Sequence, residues 1–177
     1  MAHVPPLDLE VDEAKALLAP LRNDLSIAIY NPGNAFAVGA IIRVAHSFLV
    51  REIMVIGEGD WYPKASMGMH KYESIVRLAD EAAFLDRLDG RPLFAVEKER
   101  ARRELWSEAP YPKDVVFLFG SERFGVPDRL LDAADEIVGI PMYGINHSFP
   151  VTVAAGIVLA DWARRRYRGA LVTPTDR

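Results

Sequence analysis

The chain has 177 residues, half of them hydrophobic and about a quarter charged, with no cysteine and a formal net charge of −4. That length fits one domain and that balance fits a folded globular protein, while the missing thiols exclude disulfides, thiolate metal ligands and cysteine nucleophiles. No apolar run approaches the roughly 18 residues of a membrane span, and the acidic start MAHVPPLDLEVDE is no signal peptide, so the expected address is cytoplasmic with no membrane partner.

Over residues 8–22, Asp8 stands in a capping position and Val11, Ala14, Leu17 and Leu18 recur at helical spacing, which predicts a short amphipathic helix ending near Pro20. Leu25–Tyr30 predicts a strand, followed by the turn formers Asn31, Pro32, Gly33 and Asn34. A helix is predicted over 35–48 with Val38, Ile41, Ile42, Ala45 and Phe48 inward, and Arg43 interrupts its apolar pattern. Arg43 is either an ordinary exposed or ion-paired helix residue or, near a strand-end crevice, a guanidinium built to hold phosphate or an oxyanion. Further strands are predicted at Ile53–Ile56, Ile75–Leu78 and Leu93–Val96, with a helix over 80–88. The intervening WYPKASMGMHKYE reads as a loop or short helix, and the scattered His3, His46, His70 and His147 give no metal-ligand spacing, so no metal is expected.

The informative stretch is 115–162. Val115–Phe119 is a continuous apolar run that suits a strand buried on both faces. Gly120 and Gly125 bracket Ser121, Glu122, Arg123 and Phe124, so the chain turns sharply and sets a carboxylate where parallel sheets open their ligand crevice. A short helix follows, then a strand over 137–141 stopped by Pro141, a polar loop over 142–148 and a long apolar helix. Its small residues Ala154, Ala155 and Gly156 predict close packing against a neighbour, and the two loops should lie side by side. Strands alternating with helices predict an α/β fold, an open parallel sheet with helices on both faces, and 169–177 reads as a flexible tail. Two basic clusters, Lys98 with Arg100, Arg102 and Arg103, and Arg164, Arg165, Arg166 with Arg168, are either solvated cations or a grip for a polyanion.

No predicted strand is followed by GxGxxG, and GxxxxGK[ST] and GxSxG are both missing. What the chain does carry is NPGNAFAVGAIIRVAHSF, FLFGSERFGVPDRLL and IPMYGINHSFPVTVAAGIVLADW, in that order. These resemble the three motifs of the SpoU/TrmH family of RNA ribose 2′-O-methyltransferases, within the SPOUT superfamily, over residues 25–162. KASMGMHKYE resembles a segment between the first two.

The resemblance implies a single domain with a C-terminal trefoil knot over about 93–162, a homodimer, and S-adenosylmethionine bound within the knot. Carried over by position, the cofactor loops hold Val96, Glu97, Phe119, Gly120, Ile140, Met142, Ser148, Phe149 and Val151. The implied catalytic residues are Arg43, Glu122 and Ser148, and the implied substrate contacts are Asn34, Arg43, Arg123 and Asn146. A guanidinium at the ribose would stabilise a developing alkoxide, whereas a pKa above about 12 makes arginine a poor base. Two departures from the family pattern stand out: Ala37, where one subgroup has Asn, and Pro150, which has neither an amide side chain nor a backbone N–H. The implied function is methyl transfer from S-adenosylmethionine to a ribose 2′-hydroxyl of tRNA or rRNA. The alternatives are a non-catalytic RNA-binding or assembly factor on the same knotted scaffold, motivated by Pro150, and a small-metabolite enzyme, motivated by the net acidity.

Overall fold

The computed structural model describes residues 9–31 and 33–166. Strands β1 (Leu25–Tyr30), β2 (Ile53–Ile56), β3 (Ile75–Leu78), β4 (Leu93–Val96), β5 (Arg103–Glu104), β6 (Val115–Phe119) and β7 (Glu136–Gly139) form one sheet. Its order is β3-β2-β1-β6-β4-β7-β5, and every pairing is parallel. Helices α1 (Val11–Leu18), α2 (Ala35–Ser47), α3 (Glu81–Leu88), α4 (Asp128–Ala133) and α5 (Val151–Arg166) complete the chain.

Strands β2, β4 and β6 are uninterrupted apolar runs because both faces of the sheet are covered there. Leu25, Ile27, Ile29, Phe117 and Phe119 pack into one core with residues of α2 and α5. Ala28, Val116 and Leu118 pack into the other with Phe84 of α3 and Leu130 of α4. The chain lays β1, β2 and β3 outward and crosses over to β4. It then sets β5 at the far edge, and finally inserts β6 between β1 and β4 and β7 between β4 and β5. The carboxyl ends of β4, β6 and β7 therefore lie side by side in the middle of the sheet.

The observed elements follow the predicted ones with instructive shifts. α1 begins after Glu10, whose N–H donates to Glu13 Oε2 at 3.3 Å, and the expected cap Asp8 lies outside the described residues. Pro20 sits in a 3₁₀ turn, Ala19–Leu21, that closes the helix. The strand expected over 137–141 is β7, which starts one residue earlier and stops at Gly139, before Pro141. The two-residue strand β5 lies in the basic segment after β4 and was not expected, being too short to carry a period. The tail at 169–177 lies outside the described residues. Gly156 is a correction: among the described residues a Cβ there would meet only Val44 Cγ1 at 4.0 Å, ordinary contact, so none of them requires glycine at that point.

The basic clusters are largely occupied by internal partners. Arg100 pairs with Asp128 at 3.1 Å and Asp132 at 2.6 Å, and Arg166 pairs with Asp24 at 3.1 Å. Buried Asp161 accepts from Tyr111 Oη at 2.7 Å, Arg164 Nη2 at 2.9 Å and Arg165 Nε at 2.7 Å. Arg165 also donates to Leu105 O at 2.7 Å, and Tyr111 sits edge-on to Phe117 at 5.3 Å. The end of α5 is thereby tied to the segment between β5 and β6. Burial pushes the Asp161 carboxyl upward, but the hydrogen bonds from Tyr111, Arg164 and Arg165 outweigh it and hold the group below its ordinary value.

Removing that carboxylate leaves buried donors unmatched, so Asp161→Asn is expected to lower stability at neutral pH by about 3–5 kcal/mol, read by urea unfolding. The native carboxyl is the more acidic one, so its contribution is present above the unfolded aspartate value near about 4 and is lost as pH falls through the lower native value. The gap between wild type and variant should close over that acid window. A constant gap down to the acid limit would contradict the assignment.

Candidate functional site

The turn after β6 is fixed by its own backbone. Ser121 N–H donates to Gly125 O at 3.0 Å, Gly125 N–H returns to Ser121 O at 2.9 Å, and Phe124 N–H donates to Ser121 Oγ at 3.0 Å. Gly120 must be glycine here, because a Cβ would lie 2.2 Å from Gly125 C and 2.4 Å from Val126 N, main-chain atoms with no room to move. The wall beside it is Glu97, at the end of β4, whose Oε1 accepts from Lys98 N at 2.8 Å. Lys98 Nζ donates in turn to His147 O at 3.3 Å, which joins the β4 loop to the 142–148 loop.

These loops and the start of α5 enclose a cavity of about 750 Å³. Val96, Glu97, Phe119, Gly120, Ile140, Met142, Ser148, Phe149 and Val151 all line it, so every position the motif resemblance gave to the cofactor meets in one place. Glu122 and Arg123 also line it. Pro150, singled out above as a departure from the family pattern, lines it as well, and Leu131 and Ala154 line it without having been expected. Leu131 lies on α4, and its approach depends on packing between layers that no local pattern reveals. Pro150 immediately precedes α5, and its carbonyl accepts from Val153 N at 2.9 Å and Ala154 N at 3.0 Å in the helix's first turn.

Three predicted residues lie outside this cavity. Asn34 caps α2, with Oδ1 accepting from Ala37 N at 3.1 Å, and its Nδ2 donates to Glu122 Oε2 at 3.2 Å. Asn34 and Glu122 share a small adjoining hollow with Gly120 and Val151, so the first and second motifs meet at the rim. Asn146 is exposed and donates to Ser148 O at 3.2 Å. Arg43 is exposed on α2, about 13 Å along the helix axis from Asn34 at 1.5 Å per residue. It has no ion-pair partner among the described residues. Asn31, expected from the sequence as a turn former, is buried just after β1. Its Oδ1 accepts from Gly33 N at 3.1 Å and Asn34 N at 2.9 Å, which orients the cap beside Glu122. Among the described residues no group of three His, Asp or Glu side chains is placed to hold a metal.

The SpoU rRNA Methylase family model matches residues 24–160. The chain belongs to the SpoU family. Among relatives, it is 29% identical over 153 residues to the tRNA (guanosine(18)-2'-O)-methyltransferase of Thermus thermophilus, covering 84% of this chain and 78% of that one. It is 28% identical over 157 residues to the tRNA (cytidine(34)-2'-O)-methyltransferase of Escherichia coli, covering 84% of this chain and 98% of that one. The crystal structure of an AdoMet-bound rRNA methyltransferase from Sinorhizobium meliloti superposes with a TM-score of 0.72 at 25% identity, over 85% of this chain and 61% of that one.

Because only backbone opposes Gly120, Gly120→Ala in this SpoU protein is expected to displace the turn at Gly125 and Val126 and deform the cavity. By titration calorimetry, its affinity for S-adenosylmethionine should fall about tenfold or more, a loss of about 1.4 kcal/mol, with the far-ultraviolet circular dichroism of the sheet retained. Unchanged affinity would place the cofactor elsewhere.

Proposed function

We propose that this SpoU protein transfers a methyl group from S-adenosylmethionine to a ribose 2′-hydroxyl of tRNA or rRNA. It does so as a cytoplasmic homodimer whose C-terminal part is tied in a trefoil knot. The observation that carries the reading is the convergence of the ends of β4, β6 and β7 on one cavity lined by every implied cofactor position, with Glu122 at its rim. The fit to the cofactor is chemical. Its volume of about 750 Å³ is that of a small-molecule site. Ile140, Leu131 and Ala154 offer apolar surface to an adenine, and the Glu97 carboxylate suits ribose hydroxyls or an ammonium. When bound, S-adenosylmethionine supplies an electrophilic methyl on a sulfonium.

The chain's own residues do the rest. Arg43, without a carboxylate partner among the described residues, stabilises the oxyanion that develops on the ribose and neutralises the adjoining phosphate. Glu122, held by Asn34, fixes the rim against which the nucleotide closes. Ser148 lines the cavity and donates a hydroxyl to the cofactor or the RNA backbone. Pro150 forfeits the amide of the family pattern, which leaves Asn34 as the amide side chain bonded to Glu122. Since Arg43 lies outside its own cavity, it joins the reaction only once RNA spans α2 and the cavity mouth, or once a second subunit is docked.

The late insertion of β6 and β7 between strands laid earlier supports the knotted path. Support for the dimer comes from apolar side chains left in water: Tyr143 is 95% exposed, Ile145 101% and Val153 45%. Gly156, which none of the described residues crowds, lies on the same helix as Val153 and leaves room for a neighbouring helix.

Arg43→Ala is expected to lower transfer of labelled methyl to bulk RNA by about 10²–10³-fold, the scale of removing one oxyanion donor. Affinity for S-adenosylmethionine should match wild type in the same preparation. RNA binding without transfer by the wild-type protein would instead support the non-catalytic reading.

A further inference from the structure

The face of α2 that carries Arg43 also borders an aromatic pair that takes no part in the proposed methyl transfer. Phe36 is 65% exposed and Tyr62 43% exposed, and their rings stack at 6.4 Å between centroids and 29° between planes. The pair is held in place by main chain. Tyr62 N–H donates to Ala35 O at 2.8 Å, and the Tyr62 carbonyl lies where a Cβ on Gly39 would come within 2.4 Å. The loop is thus clamped onto the first turns of α2 by the absence of a side chain at Gly39.

Phe36, Ala40 and Arg43 fall at i, i+4 and i+7, one stripe of the helix. Asn34, two residues before Phe36, is bonded to Glu122 at the cavity rim. Along α2 the order is therefore rim, aromatic pair, guanidinium. Arg43 on this face has no ion-pair partner among the described residues, and neither does exposed Lys64, two residues after Tyr62 in the loop, so the charge here suits a nucleic-acid backbone. Flat exposed rings next to unpaired cations are what a base and its phosphate recognise together.

Resting on the methyltransferase reading, we infer that Phe36 and Tyr62 form a stacking platform for an unpaired base of the RNA, which seats its backbone between Arg43 and the cavity rim. Bases offer a ring face only when they leave the helical stack, so the platform selects nucleotides in loops and rejects those in stems.

The test uses the full chain with two RNA probes, a hairpin carrying 2-aminopurine in its loop and a duplex carrying it paired. Wild type should bind the hairpin more tightly and change its fluorescence. Phe36→Ala and Phe36→Leu should each weaken hairpin binding about tenfold or more and abolish that change, and Phe36→Trp should retain both. Phe36→Leu keeps apolar bulk while removing the ring, and unchanged S-adenosylmethionine affinity shows that the variants are folded. The inference is overturned if hairpin and duplex bind alike, or if Phe36→Leu binds the hairpin like wild type. It is equally overturned if light scattering shows that the variants alter the oligomeric state, which would make this face a contact with a second copy. Bulk RNA methylated by wild type and by Phe36→Leu with the same KM defeats the platform alone. Wild type that neither binds nor methylates RNA defeats the methyltransferase reading with it.

Discussion

Strand β6 is paired on both edges, with β1 and β4, and buried on both faces, so its carboxyl end has one place to go. It must turn at once, and it does so through Gly120, whose missing side chain lets the main chain of Gly125 and Val126 return against it. That close approach sets the floor of the cavity. The neighbouring ends of β4 and β7 supply its walls, and the first turn of α5 with the loop before it covers it. A parallel sheet gathers ligands where its strand order departs from chain order, and here the departure lies between β1, β6 and β4.

Charge is divided between scaffold and site. Asp161, Glu52 and Glu73 are buried, and each is matched by arginines: Arg164 and Arg165, Arg87 and Arg91, and Arg22 respectively. For Glu52, burial pushes the carboxyl upward, but hydrogen bonds from Arg87 and Arg91 hold it below its ordinary value. Such pairs fix geometry more than they add stability. Among the described residues Arg43 and Lys64, on or beside α2, and Arg102 and Arg123 are in no ion pair, whereas Arg164, Arg165 and Arg166 at the end of α5 are, so the RNA path proposed above runs over α2 and the cavity mouth.

Strands β2, β4 and β6 were legible because burial on both faces demands continuous apolar runs, and β1 and β3, each with one polar residue among apolar ones, also begin and end where predicted. Helix α2 was legible from its 3.6-residue period, and the loop glycines from the turns they permit. Two-residue β5 and the lining role of Leu131 depend on contacts distant in sequence, so no local signal marks them. The cofactor positions came from motif resemblance, and the cavity gathers them because they sit at adjacent strand ends. Gly156 was misread because a small residue on a helix signals room, not what fills it, and none of the described residues presses into that room. Asn34 was read as a substrate contact, and its bond to Glu122 makes it an organiser of the rim first.

In the proposed reaction, a methyl donor held at the ends of β4, β6 and β7 is delivered to a ribose oxygen of RNA. The most direct measurement is mass-spectrometric mapping of ribose methylation in tRNA and rRNA from cells with and without this protein. The expected result is loss of 2′-O-methylation at a defined nucleotide, restored by the wild-type chain and not by Gly120→Ala. Identical methylation maps in the two strains would contradict it.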